Sequence, residues 1–211
     1  FEAGQLLGEL MASEYEGLAQ GIVLAIPSGG VPVGIELSKR LRLPCDCIVV
    51  RKIQIPGNTE AGFGALASGG KVLLNDDLVH HYRLSPEQIE VQTQKVRKEL
   101  AIRERLFREN RPLPDLTRMH VILTDDGLAS GYTMLAAIET VQNKKAQSIV
   151  VAVPTAPLHT VRLVEQKADA VYSLHVQEGY PFAVANAYQN WYDLSREEVV
   201  QLLQAYRRSS E

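Results

Sequence analysis

The stretch Val121-Ile122-Leu123-Thr124-Asp125-Asp126-Gly127-Leu128-Ala129-Ser130-Gly131-Tyr132-Thr133 decides how the chain is read. An apolar run ends in two adjacent carboxylates, and a turn of small residues then opens into helix-period sequence over 133–142. Two neighbouring acids at the end of a core strand are costly unless they are used. The N–H groups of such a turn, with the partial positive charge of a helix start, suit a phosphate. The carboxylates suit a vicinal diol, or a divalent cation that bridges one. The plainer alternative is that Asp125 and Asp126 only cap the helix while Gly127 and Gly131 serve a tight turn.

Outward from this stretch, β-branched and aliphatic runs recur at 22–26, 47–50, 120–124, 148–153 and 170–174, with helix-period sequence at 32–41, 133–142 and 158–166. Apolar runs without strict alternation, separated by helices, describe parallel strands buried on both faces. The expected fold is α/β: a doubly wound, mainly parallel five-stranded sheet with helices on both faces. A second glycine turn, Pro27-Ser28-Gly29-Gly30-Val31-Pro32, follows the first strand. If the chain winds outward from that strand and returns on its other side, right-handed crossovers bring both turns to one crevice at the carboxyl edge. Arg51 and Lys52 end the second run and supply two cations at the same edge; solvated charges at a strand end are the alternative.

Two stretches depart from a plain βαβ repeat. Residues 54–71 hold five glycines and one proline and read as a long mobile loop. Ser85-Pro86-Glu87-Gln88 then reads as a capping box with proline at the first helical position. The helix should run over 85–109 as a charged, solvated element with a thin apolar stripe of Ile89, Val96, Leu100 and Phe107. A last helix is capped at Ser195.

Composition narrows the function classes. With 211 residues, 45% hydrophobic, one domain over 1–211 with a sizeable core is expected. Twenty-two Lys and Arg against 25 Asp and Glu leave a net charge of -3, which argues against a nucleic-acid binder. No uncharged apolar run approaches the roughly 18 residues that span a bilayer, so no membrane partner is expected. Cys45 and Cys47 point to opposite faces of a strand and suit neither a disulfide nor a metal pair. A reducing, cytoplasmic setting is the expectation. The first residue is Phe1, not Met, so a few residues upstream are expected. Gly62-Phe63-Gly64-Ala65-Leu66-Ala67 matches a dinucleotide fingerprint only by letter, because no strand precedes it in this reading.

Residues 124–133 resemble the signature of type I phosphoribosyltransferases: an apolar strand, two acids, a short variable step, then Thr-Gly-x-Thr. The segments 27–32, 49–52, 58–70 and 86–109 also resemble an uncharacterised branch of that family, so the resemblance covers nearly the whole chain. It implies phosphoribosyl diphosphate (PRPP) with Mg²⁺ as co-substrate, a nitrogen acceptor, diphosphate release, and a homodimer. Asp125 and Asp126 would hold the ribose hydroxyls and, directly or through PRPP and water, the metal. Gly127, Leu128, Ala129, Ser130, Gly131, Tyr132 and Thr133 would cradle the 5′-phosphate. Ser28, Gly29, Gly30, Arg51 and Lys52 would hold the diphosphate.

Three positions depart from the family pattern. Ser28 stands where the close relatives' turn has Arg, Ser130 replaces Thr, and Ala129 replaces the acid that protonates 6-oxopurines; Tyr132 is also bulky for its place. Glu60, in the expected loop, is the remaining candidate for proton transfer. The family's acceptor hood would map to 176–192, with Tyr180, Phe182, Tyr188, Trp191 and Tyr192 as stacking candidates. The competing readings are a non-catalytic PRPP or nucleotide sensor, favoured by Ser28, and a sugar-phosphate hydrolase, which lacks an obvious nucleophile.

Overall fold

The computed structural model describes residues 1–58, 61–179 and 181–209. In chain order these begin with α1 (Glu2–Tyr15), β1 (Gly21–Ala25), α2 (Gly30–Leu41), β2 (Cys45–Cys47), β3 (Val50–Gln54), β4 (Gly62–Ala67) and β5 (Val72–Leu74). Next come α3 (Asp76–His81), α4 (Pro86–Arg108), β6 (His120–Thr124) and α5 (Tyr132–Asn143). The chain finishes with β7 (Ser148–Pro157), α6 (Leu158–Glu165), β8 (Ala170–Gln177), a short 3-10 turn at Val184–Ala187 and α7 (Arg196–Ser209).

The main sheet has five parallel strands in the order β2-β1-β6-β7-β8. Its central strands carry unbroken apolar runs at 22–25, 121–123 and 149–153 because both faces are covered. Val23, Ile122 and Val150 turn to one side, against Leu7 and Met11 of α1 and Leu37 of α2. Their neighbours Leu24, Leu123 and Val151 turn to the other, against Met134 and Ile138 of α5 and Val164 of α6. The period-2 alternation thus survives as a choice between two cores. Winding runs from β1 outward to β2 and returns to place β6 on the other side of β1, so the order reverses between β1 and β6.

Helix α1 lies in a segment given no element from sequence. Gly4 and Gly8 let it approach α2 closely: a Cβ at Gly8 would sit 2.6 Å from Arg40 Cβ. The second expected strand is also displaced. The sheet edge is Cys45–Cys47, while Val50–Gln54 leaves for a separate antiparallel sheet, β3-β4-β5.

That second sheet corrects the loop reading of 54–71. Gly62–Ala67 of the stretch is strand: β4 pairs with β3 on one side and β5 on the other. Phe63, Ala65, Leu66 and Ala67 are buried, and Phe63 joins Val96, Leu100 and Phe107 of α4 and Leu203 of α7 in a satellite core. Gly64 signals close packing, since a Cβ there would meet the Leu73 carbonyl oxygen at 2.5 Å.

Helix α4 starts as the sequence requires. Gln88 N–H donates to Ser85 Oγ at 3.3 Å and Ser85 N–H to Gln88 Oε1 at 2.9 Å. Its far end is anchored by Arg108, which ion-pairs with Asp46 at 2.8 Å and donates to the Cys47, Arg111 and Pro112 carbonyls. Among the described residues no helix is long and apolar enough to cross a membrane.

Candidate active site

The carboxyl ends of β1 and β6 lie side by side, Ala25 opposite Thr124. The turns that follow therefore face each other. Gly29 meets Asp126: a Cβ at position 29 would overlap the Asp126 carboxylate. Gly30 meets Asp125, where an added Cβ would come within 2.9 Å of its Cα. The Pro27–Ser28 peptide is cis. The structure thus brings Ser28, Gly29, Gly30, Asp125 and Asp126 into one place.

The carboxylates are held close and poorly solvated. Asp125 Oδ1 accepts the Asp126 N–H at 2.9 Å. Burial first, and then the charge of Asp126, push Asp125 well above the usual carboxylate range. Burial also pushes Asp126 up, to about 6, with Asp193 adding to the rise. Both shifts express the cost of two negative charges in one half-buried site.

The turn from 127 to 131 is shaped by its neighbours. Leu128 is buried and its N–H donates to the Thr155 carbonyl at 2.9 Å; the Ala129 carbonyl accepts from Thr160 Oγ1 at 2.6 Å. Gly131 adopts φ 80°, a left-handed conformation that favours glycine, as the N-cap of α5. Ala129 and Ser130 are exposed, and their N–H groups find no backbone acceptor among the described residues. These N–H groups at a helix start can take a phosphate. Tyr132 and Thr133 form the first turn of α5.

Beside the acids lies a cleft of about 610 Å³, floored by Ser28, Gly29 and Asp126. Tyr188, Trp191 and Tyr192 form one wall, and Glu198, Gln201 and Leu202 of α7 another. Tyr188 donates its hydroxyl to the Asp126 carbonyl at 2.6 Å and packs on Trp191, ring centroids 5.2 Å apart. The carboxylates of Asp126, Asp193 and Glu198 line this cleft, and no Lys, Arg or His side chain does so among the described residues.

Residues 2–185 match the phosphoribosyl transferase domain family. The chain belongs to the phosphoribosyltransferase family. Two Mycobacterium tuberculosis proteins whose names describe a phosphoribosyl transferase are each 36% identical over 207 residues, 98% of this chain and 46% of theirs. The chain spans about half the length of these curated relatives. The crystal structure of TT1426 from Thermus thermophilus is similar with TM-score 0.78 and 32% identity, over 97% of this chain and 95% of that one.

In this member of the family, other expected site residues fall differently. Arg51 and Lys52 lie on β3 and neither lines the cleft. Arg51 is paired with Glu99 at 3.0 Å. Of the hood candidates, Tyr188, Trp191 and Tyr192 line the cleft, whereas Phe182 does not. Residues 176 and 177, expected in the hood, belong to β8. Tyr180 and Glu60 lie outside the described residues. The α7 wall and Asp193 were missed from sequence; the capped helix after Asp193 was legible, but its docking site was not.

Mg²⁺ suits the carboxylate pair chemically: hard oxygens whose mutual repulsion a cation would relieve. No cluster of three or more His, Cys, Asp or Glu suitable for a metal occurs among the described residues. The rest of the coordination shell would come from substrate and water, the usual way Mg²⁺ is held.

Proposed function

We propose that the chain binds PRPP with Mg²⁺ and transfers its 5-phosphoribosyl group to a nitrogen nucleophile, a nucleobase or related small molecule. The acceptor nitrogen attacks C1′ as the C1′–diphosphate bond breaks, and the acceptor proton passes to a base. The observation that carries this reading is the contact of Asp125 and Asp126 with the Ser28-Gly29-Gly30 turn, directly before the turn that opens α5.

Each part has a task that its chemistry suits. Asp125 and Asp126 hold the ribose hydroxyls and orient C1′. Residues 127–133 take the 5′-phosphate on backbone N–H groups. The Ser28-Gly29-Gly30 turn takes the diphosphate on its backbone; Arg51 is left out because Glu99 holds it. Mg²⁺, when bound, would neutralise part of the diphosphate charge. That demand is strong here, because a polyanion entering a cleft lined by the carboxylates of Asp126, Asp193 and Glu198 meets repulsion. Trp191, Tyr192 and Tyr188 form the wall on which an acceptor ring can stack.

Diphosphate release from Mg²⁺-PRPP, screened against nucleobases and small amines, tests the assignment. Acceptor-dependent release supports a transferase. Ser28 in the turn, with no Lys, Arg or His among the described residues lining the cleft, favours a second reading as a PRPP or nucleotide sensor. PRPP binding without release for any acceptor would select that reading.

A further inference from the structure

Arg103 of α4 and Arg108, five residues later, are both buried, at 9% and 2% exposure. Arg108 is engaged through all three guanidinium nitrogens by Asp46 and three carbonyls. Arg103 is not. Its Nε and Thr124 Oγ1 are the buried side-chain polar atoms without a hydrogen-bond partner among the described residues. A hydroxyl so placed costs little; a guanidinium costs much more.

The surroundings deepen the imbalance. The side chain of Arg103 runs along Phe107, its guanidinium carbon 6.0 Å from the ring centroid. The acid nearest in effect is Glu99, one helical turn earlier, and both its oxygens are taken. Oε2 accepts from Arg51 of β3 at 3.0 Å, and Oε1 from Arg196 of α7 at 3.0 Å. Burial first, and then the charge of Arg51, disfavour the protonated form of Arg103, with Arg196 adding to the effect. Two guanidinium groups thus share the Glu99 carboxylate, and the charges of Arg51, Glu99 and Arg196 all act on the buried Arg103 guanidinium, so three positive charges face one negative charge. The side chains of Arg51 and Arg196 are 30% and 43% exposed, so the cluster has an open rim and a buried floor. None of the three arginines lines the cleft at Asp126.

We propose that Arg51, Arg103 and Arg196 form a binding site for a phosphate-class oxyanion, separate from the cleft at Asp126. A dianionic phosphoryl group matches the surplus charge, and its oxygens match the planar donor forks of guanidinium groups. It supplies the acceptor that Arg103 Nε lacks. Because α7 also walls the cleft, an anion here would fix that wall against α4 and β3.

Calorimetric titration with inorganic phosphate and with inorganic diphosphate, in low-salt buffer without Mg²⁺, tests the site. Wild type should bind, and the ratio of the two affinities tells whether a single phosphoryl group or a diphosphate is the better occupant. Arg103→Met, which keeps the stem, and Arg196→Gln at the rim should each weaken binding about tenfold or more. In the Asp125→Asn/Asp126→Asn background, Arg103→Met should weaken binding by the same factor as in wild type. Melting curves keep the test independent of folding. In anion-free buffer Arg103→Met should melt at or above wild type, and phosphate should raise the melting temperature of wild type more than that of either arginine variant. Absence of wild-type binding, wild-type affinity in both arginine variants, or no effect of Arg103→Met in the aspartate double background would each overturn the proposal.

Discussion

Gly29 and Asp126, nearly a hundred residues apart in sequence, are packed so closely that no side chain fits between them. The contact joins the turn after β1 to the carboxylates after β6, where the winding of the sheet reverses. Gly29→Ala should displace the Asp126 carboxylate and lower PRPP affinity by tenfold or more, on the order of 1.4 kcal/mol. Titration calorimetry checks it; wild-type affinity in Gly29→Ala would show that the contact is slack.

The same acids should weaken the ligand-free fold. Burial raises both carboxyl pKa values in the folded state above those of the unfolded chain. The folded state therefore binds more protons above the unfolded pKa, and stability falls as pH rises through the folded value, about 6 for Asp126. Asp126→Asn should raise the melting temperature at pH 8, by the equivalent of roughly 1–2 kcal/mol. The gain should shrink as pH falls toward 4. A gain that is constant with pH would contradict this linkage.

Phe63 separates a strand from a mobile loop. It is fully buried in the satellite core, so Phe63→Ala should cost about 3–5 kcal/mol in denaturant unfolding. A cost below about 1 kcal/mol would mean that β4 adds little to the core.

Glu60 is proposed to move the acceptor proton, because Ala129 occupies the family's acidic position. Glu60→Gln should lower turnover by roughly 10²–10⁴ while PRPP affinity stays near wild type. Full activity toward the identified acceptor would remove Glu60 from the mechanism, and lost PRPP binding would recast it as a substrate or metal residue.

What could be read from sequence had a local cause. β1, β6 and β7 carry unbroken apolar runs at 22–25, 121–123 and 149–153, and the capping boxes at Ser85 and Ser195 satisfy helix-start N–H groups within four residues. The turn at 127–131 and its acids announced themselves for the same reason. What could not be read depends on partners distant in the chain. Gly62 and Gly64 look like loop residues until the Ile53 and Leu73 carbonyls are seen beside them. Val50 reads as part of the second strand of the main sheet, yet β3 turns to pair with β4. Arg51 reads as a free cation at a strand end, yet its partner Glu99 lies far along α4. The cleft wall on α7 escaped for the same reason: docking a helix beside Gly29 is a tertiary event without a sequence period.

The most direct test is calorimetric titration of PRPP into wild type and into Asp125→Asn/Asp126→Asn, each with and without Mg²⁺. The account predicts metal-dependent binding by wild type and a loss of several kcal/mol in the double variant, whose size and fold are otherwise kept. Equal affinity of the two proteins for Mg²⁺-PRPP would contradict it.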